Sequence, residues 1–466
     1  MNTPIYDFVE AYKESNPVRL HMPGHKGVPG VLGAEPYDIT EIDGADVLSQ
    51  ACGIIAESEA NAGELFGCRT FYSTEGSSLC IRTMVFLAKK FAIRCGLKPF
   101  ILAARNVHRS FVDAVALLDV DVEWIMPRAD DSYESCSVTG EELGEIIDSY
   151  RAQGRMPVAV YVTSPDYLGN LADISALADA CHSRRCLLMV DNAHGAYLRF
   201  LAESAHPIDL GADVCCDSVH KTLPVLTGGA YLHISRGVAP FLMDYVGRAM
   251  ALFSTTSPSY LILQSLDLCN AYLAEAGAAF EQAAVRTDKL RAALMVAGYK
   301  TVGDERLKIT LAAGEAFADG EWLAEQLSSE GIIVEYYDYK HVVMMFSPKT
   351  TEAEYEKVRE VLIGLAGKLP GRAPEETGVT GEEGNEEASG GIAGEVRVPA
   401  PERAMTPAEA ILAESEYVDA RDCAGRILAE PLVSMPPCVP VYMCGEVLDA
   451  EARKYIRGSV RVVVRK

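Results

Sequence analysis

The segment Asp217–Gly229, DSVHKTLPVLTGG, sets Lys221 beside a histidine and a serine and ahead of a glycine pair. A lysine whose pKa is lowered forms Schiff bases with carbonyl compounds. Ser218 and His220 could grip a phosphate; the plain alternative is a loop with a surface lysine. In CLLMVDNAHGAY, Asp191 ends a fully apolar run. A carboxylate there is costly unless it meets a cationic or protonated partner. A pyridinium nitrogen is one such partner, and capping the next turn is the other reading. Thr74–Ser78, TEGSS, lies between a strand pattern and a helix pattern. Backbone N–H groups and hydroxyls at a helix start make an anion site, although many helix starts share that composition. RNVHRS supplies His108, which could stack on an aromatic ring or be an ordinary satisfied histidine.

These residues need a scaffold. From Gly53 to about Ser235, apolar runs of five to seven residues alternate with longer helical patterns. GIIAESEANAGELF reads as a helix, with Ile54, Ile55, Ala62, Leu65 and Phe66 apolar. RTFYS, FILAA, DVEWIM, PVAVYVT, CLLMVD and ADVCCDS read as strands, with helices between them, one starting near Thr139. Such alternation predicts βαβ units and a mostly parallel sheet. VAVYV and CLLMV lack polar alternation, as in strands covered on both faces. Lys221 and Asp191 then fall at the carboxyl ends of strands, where open α/β sheets bind ligands.

The rest of the chain divides by pattern. Residues 1–52 form an N-terminal arm and 53–250 the large α/β domain. A long helical stretch from Tyr260 opens a smaller α+β domain, 251–366, which includes IIVEYY and HVVMMFS as strands. Gly367–Pro407, rich in Gly, Pro and Glu, reads as a flexible acidic linker, and 408–466 as a C-terminal domain.

Composition narrows the partners. The 466 residues are 49% apolar and 23% charged, as in ordinary globular proteins. Lys+Arg of 42 against Asp+Glu of 66 gives 42 − 66 = −24. That argues against nucleic acid or an anionic membrane and leans toward a cationic small molecule. No apolar run spans a membrane, and the first residues show no secretory signal. Thirteen cysteines without CxxC or zinc spacing predict reduced, mostly buried thiols in the cytoplasm and no metal site.

Together these segments resemble the fold-type I pyridoxal-phosphate enzymes, and within them the Orn/Lys/Arg decarboxylase family, over nearly the whole chain. HMPGHKG, DITEIDGADVL, TEGSS, RNVHRS, SPDYLG, DNAHGA, DSVHKTLP, STTSPSY and the tail PPCVPVYMCGE follow in family order. The resemblance implies a mostly parallel central sheet with helices on both faces, plus smaller α+β C-terminal domains. It implies that Lys221 carries pyridoxal 5'-phosphate, Asp191 pairs with its ring nitrogen and His108 stacks on the ring. Gly76, Ser77, Ser78, Ser218 and His220 would hold the phosphate, with His194 beside the ring. Thr255 and Thr256 would reach the cofactor of a neighbouring subunit in a homodimer or higher homo-oligomer.

The implied reaction is decarboxylation of lysine, ornithine or arginine. His108 or Lys221 would return the proton, and Glu41, Asp46 or Glu446 would hold the distal cation unless each is merely a solvated or capping carboxylate. An aminotransferase or β-eliminating lyase would use the same lysine and aspartate. A non-catalytic regulator of this fold would bring a basic DNA-binding domain, and neither its motif nor its charge is visible. The chain departs from the family at Asn192, usually acidic, at Tyr197, often His, and at Glu75, usually Asn. It departs again at Cys438, usually Gly, and Cys444, usually Pro. Glu75 beside a phosphate is expected to point away or cap its helix.

Overall fold

The computed structural model describes residues 1–128, 131–238, 240–367, 400–433 and 437–464. The chain opens with helix α1 (Pro4–Glu14), α2 (Ile54–Phe66), β1 (Arg69–Ser73), α3 (Ser77–Arg94), β2 (Phe100–Ala104), α4 (Arg109–Leu117) and β3 (Asp121–Ile125). It continues with α5 (Gly140–Ala152), β4 (Ala159–Thr163), α6 (Ile174–His182), β5 (Leu187–Asp191), β6 (Val214–Asp217) and β7 (Ala230–Ile234). Three helices follow, α7 (Pro240–Phe253), α8 (Tyr260–Glu275) and α9 (Gly277–Val296).

The strands β1 to β7 form one sheet in the order β1-β7-β6-β5-β4-β2-β3. Pairs β2/β3, β2/β4, β4/β5 and β5/β6 are parallel, and β7 runs antiparallel to both β6 and β1. Every residue of β2, β6 and β7 is buried, as expected of strands covered on both faces. The helix expected from Thr139 starts there through a capping box: Thr139 accepts from Glu142 N while the Glu142 side chain reaches back to the cap. The helix α2 stops at Gly67, whose φ of +70° suits glycine at a helix end.

The contacts divide the described chain into two units. The first comprises 1–125, 137–165 and 172–280, and the second comprises 126–136, 166–171 and 281–466. The arm expected over 1–52 falls in the same unit as the sheet. Asp267 on α8 accepts from Ile5 N (2.9 Å), Tyr6 N (3.0 Å) and Ser58 Oγ (2.5 Å), which ties α1 and α2 to α8. That buried anchor carries the first unit through Phe280, past the expected boundary at 250.

In the second unit, a four-stranded antiparallel sheet is built from β8 (Lys300–Val302), β9 (Lys308–Ala312), β10 (Tyr336–Tyr337) and β11 (His341–Met345). The strand expected over IIVEYY shrinks to Tyr336–Tyr337, an edge pairing with β11 alone, and Ile333 is exposed. The helices α10 (Gly320–Ser329) and α11 (Glu352–Leu365) share an apolar core with this sheet, including Leu323, Leu327, Val358 and Leu362.

The expected acidic linker lies outside the described residues over 368–399. Its last residues are held in place: Ala404 N and Met405 N donate to Gly445 O, and Val447 N donates to Glu402 O. Beyond them, α12 (Pro407–Leu412) precedes β12 (Ser415–Asp419), β13 (Leu432–Val433), β14 (Pro440–Tyr442) and β15 (Ser459–Val463), with Leu428, Val441, Leu448 and Val462 buried among them. Cys438 has φ +61°, the left-handed region where glycine is at ease, which accounts for the glycine expected at that position. Cys444 is buried against the Pro407 carbonyl. All thirteen cysteines are free thiols. No helix of the described residues is long and apolar enough to cross a membrane.

Asp46, a candidate substrate carboxylate, has a structural task. Its oxygens accept from the backbone N–H of Val47, Cys52, Gly53, Ile55 and Ala56 and so close the loop that starts α2. Burial opposes its charge, but the N–H groups outweigh it and the pKa is lowered. A carboxyl with a lowered folded-state pKa stabilises the fold above its unfolded value, and that contribution is lost as pH falls through the folded value. Asp46→Ala should therefore cost about 2 kcal/mol at neutral pH in chemical denaturation. The difference from the parent should shrink below about pH 4.

Candidate active site

Adjacent parallel strands bring two loops side by side. Asp191 is the last residue of β5, and Asp217 is the last of its neighbour β6. Asp191 is 2% exposed. Tyr161 Oη on β4 donates to its Oδ2 at 3.1 Å, while Cys216 Sγ (3.5 Å) and Ala193 N (3.3 Å) approach Oδ1. No lysine, arginine or histidine among the described residues lies within ion-pair distance of it. A buried carboxylate held this way by neutral donors fits a protonated ring nitrogen as its partner.

After β6 the chain makes one short helical turn, Val219–Lys221. It presents Lys221 Nζ 3.0 Å from Nε2 of the buried His194, which belongs to the loop after β5. An ammonium has only donors, so His194 Nε2 accepts and is a place for the lysine's proton to go. Lys221 is itself exposed.

The turn before α3 is the third component. Gly76 has φ +67°, and a Cβ there would meet nothing within 4 Å, so the backbone turns beside open space. Ser73 Oγ donates to Gly76 O at 2.9 Å and holds the turn. Behind it, α3 offers the N-terminus of an 18-residue helix, a favourable place for an anion. Ser218 Oγ donates to Ser77 Oγ (2.8 Å), and Ser78 Oγ shares a bond with Ser110 Oγ (2.7 Å). Four hydroxyls thus collect at one helix start from three loops. The N–H of Gly76 is already spent on Gly228 O at 2.7 Å. His220 donates from Nδ1 to Gly229 O at 2.9 Å. Burial lowers the His220 pKa, so its Nε2 is an acceptor in the neutral ring and would grip a phosphate only on protonation. The glycine pair therefore stitches the two phosphate-side loops together, and Gly228 must be glycine: its φ is +100° and a Cβ would sit 3.0 Å from Thr74 O.

His108 caps α4. Its Nδ1 accepts from Ser110 N at 3.1 Å, which leaves the proton on Nε2. Burial pushes its pKa down while Asp191 pulls against that. The ring is a neutral, flat surface within the field of Asp191.

Glu75, in the turn before α3, is engaged by the backbone after α7. Its Oε1 accepts from Thr255 N at 2.7 Å. Thr255 and Thr256 line a cavity of about 550 Å³ with Glu41 and Glu59; Lys221, Asp191, His108 and His194 are not among its walls. Burial raises the Glu59 pKa to about 8. Glu446 lies in the second unit, where Oε2 accepts from Met443 N at 2.6 Å. Asn192, where an acidic residue was the family expectation, donates from Nδ2 to Asp217 Oδ1 at 2.7 Å. A carboxylate at 192 would repel Asp217. Tyr197 is fully buried.

Tyr161, Cys216, Ser110 and Asp217 were missed from sequence. The lone phenol inside the apolar run VAVYV was a signal for Tyr161, because a buried hydroxyl needs a partner. Nothing local marks the others.

Comparison with known proteins places the chain in a family. The model for "Orn/Lys/Arg decarboxylase, major domain" matches residues 3–299, and that for its C-terminal domain matches 393–459. An arginine decarboxylase of Halalkalibacterium halodurans is 30% identical, over 98% of this chain and 94% of its own. One of Bacillus subtilis is 29% identical, over 97% of this chain and 93% of its own. The solved constitutive lysine decarboxylase of E. coli has the same fold, with a TM-score of 0.75 at 17% identity over 99% of this chain and 82% of that one. The chain belongs to the Orn/Lys/Arg decarboxylase family, pyridoxal-phosphate-dependent carbon–carbon lyases of basic amino acids.

Proposed function

We propose that Lys221, Asp191 and His108 carry the decarboxylation of a basic amino acid, with arginine the first candidate, in a homodimer whose subunits share active sites. The observation that carries the residue assignment is the buried Asp191, with no ion-pair partner among the described residues, set one strand away from Lys221. Arginine is favoured because full-length relatives at 27–30% identity bear the name arginine decarboxylase. A protein charge of −24 favours a cationic side chain in the substrate.

Pyridoxal phosphate, when bound, supplies the electron sink for the broken carbon–carbon bond. The chain's own residues do the rest. Asp191 keeps a ring nitrogen protonated by presenting a charge that burial leaves otherwise uncompensated. Lys221 loses its proton toward His194 Nε2 before acting as a nucleophile. Ser77, Ser78 and Ser218 turn hydroxyls toward an anion at the start of α3. His108 offers a flat neutral ring and one proton at Nε2, and either it or Lys221 returns the proton to the product carbon. The dimer reading rests on exposed apolar residues of the arm, with Val18, Leu20, Val31 and Leu32 each at least 85% exposed. A surface of that kind is what a second copy would cover.

Borohydride reduction of the loaded protein followed by peptide mapping should place the label on Lys221; a label on Lys26, or on no lysine, overturns the assignment. Asp191→Asn should still take up the cofactor but lose turnover by orders of magnitude, each tenfold being about 1.4 kcal/mol of barrier. Near-normal turnover would mean that the ring nitrogen is paired elsewhere. Mixing Lys221→Ala subunits with Thr255→Ala/Thr256→Ala subunits should restore part of the activity, and an active monomer in sedimentation would refute shared sites.

A further inference from the structure

Behind the candidate site lies a cluster that the proposed reaction does not use. His206, Asp217 and His233 are all fully buried. Both histidines reach one carboxylate oxygen: His206 Nε2 and His233 Nε2 are each 3.1 Å from Asp217 Oδ2. The other oxygen, Oδ1, accepts from Asn192 Nδ2 at 2.7 Å and lies 3.6 Å from Cys215 Sγ. Phe66 packs on both imidazoles, with ring centroids 4.4 Å from His233 and 5.3 Å from His206.

The hydrogen bonds assign the protons. His206 Nδ1 accepts from Ile208 N at 3.4 Å, and its Nε2 donates to Asp217. His233 also donates from Nε2, and its Nδ1 is 2.9 Å from Thr70 Oγ1 and 3.4 Å from Cys68 Sγ. Thr70 can accept, which allows His233 a proton on both nitrogens. Burial works against that charge, but the Cys68 and Asp217 neighbours more than offset it, and the His233 pKa is pushed up to about 10. Asp217 is held correspondingly low, with His206 and His233 outweighing its own burial. The cluster thus sets one buried carboxylate against two imidazole donors and one amide donor, so that none of its charge is left without a partner in a dry interior.

Three ligand atoms this close could suggest a metal. Coordination would require lone pairs on both Nε2 atoms, which moves the His206 proton to Nδ1 against the Ile208 N–H. Protons satisfy the arrangement that is present.

The connectivity gives the cluster a role. Asn192 follows Asp191 directly, and its backbone N–H also donates to Cys216 O at 2.9 Å. Asp217 precedes Ser218 and the turn bearing Lys221. Through His233 on β7 it reaches Thr70 on β1, the strand that leads into Thr74–Ser78. We propose that Asp217 is a positioning residue: shared by His206, His233 and Asn192, it locks the phosphate turn, Asp191 and Lys221 at one relative depth. This rests on the assignment of Lys221 and Asp191 to the cofactor.

Asp217→Asn cannot satisfy its neighbours, because the new amide donor must face either the Asn192 amide or two imidazole N–H groups. The exchange Asn192→Asp/Asp217→Asn restores the donor and acceptor pattern, since the carbonyl of 217 then faces the imidazoles and its amide faces the carboxylate of 192. Histidine-labelled protein free of cofactor should show His233 doubly protonated by nitrogen NMR at pH 8. The single variant should lower kcat by about tenfold or more with KM nearly unchanged and move the pH midpoint of the cofactor's visible band. The exchange should return kcat to within about threefold of the parent. A neutral His233 in the parent, stoichiometric bound metal, an unchanged single variant, or an exchange as impaired as the single variant would each overturn the proposal; if the single variant does not fold, the NMR spectrum and the exchange still decide. A Lys221→Ala protein that still forms the reducible visible band would instead overturn the cofactor assignment and leave the His233 result standing.

Discussion

A carboxylate that is 2% exposed and faces only a phenol, a thiol and one backbone N–H is a costly thing to place at the end of a buried strand. The sheet accepts that cost at Asp191, and the surroundings are arranged so that it is not relieved from within the chain. The nearest histidine bonds go elsewhere: His194 to Lys221, His108 to Ser110, and His206 and His233 to Asp217. Burial raises the Tyr161 pKa and the charge of Asp191 raises it further, so the phenol stays a donor. What remains is a buried carboxylate held by neutral donors, a fit for a protonated ring nitrogen. That is the electrostatic preorganisation expected where a cofactor ring must stay protonated to draw electrons.

The other parts of the site answer to the same geometry. Parallel pairing of β5 and β6 puts the loops of Asp191 and Lys221 next to each other, and β7, running antiparallel between β6 and β1, brings the start of α3 to the same edge. The Gly228–Gly229 pair then bonds Gly76 to one loop and His220 to the other. These are short, backbone-level links, so the spacing of the phosphate side from the lysine does not depend on long, mobile side chains.

Much of this was legible in the sequence because it is local. The strands, Thr139 as a helix start, and the loops bearing Asp191, Lys221, Gly76 and His108 are each carried by short contiguous patterns. Contacts assembled from distant strands were not legible. The three residues that share Asp217 come from β7, from the loop before β6 and from the position just after β5, and no spacing announces them. In the sequence Asp46 reads as a substrate carboxylate or a cap, and the structure makes it a cap; its donors are backbone N–H groups, which side-chain identity does not reveal. IIVEYY looked like a full strand because its composition is β-prone, yet an edge position supports only two residues of pairing. The departures from the family pattern have physical sense once placed. Glu75 accepts from the Thr255 N–H, Asn192 donates a hydrogen bond to Asp217, and Cys438 occupies a left-handed position suited to glycine.

The central claim is that this arrangement breaks the bond to the substrate carboxylate and does not move the amino group. Decarboxylation and transamination would use the same lysine, aspartate and phosphate grip, so binding of the cofactor does not separate them. The decisive measurement is turnover of the loaded protein with arginine, lysine or ornithine in the absence of any oxo-acid, with CO₂ and amine quantified together. CO₂ and the corresponding amine should form in equal amounts, with arginine preferred and leucine or glutamate poor. Turnover that requires an oxo-acid and yields no CO₂ would contradict it.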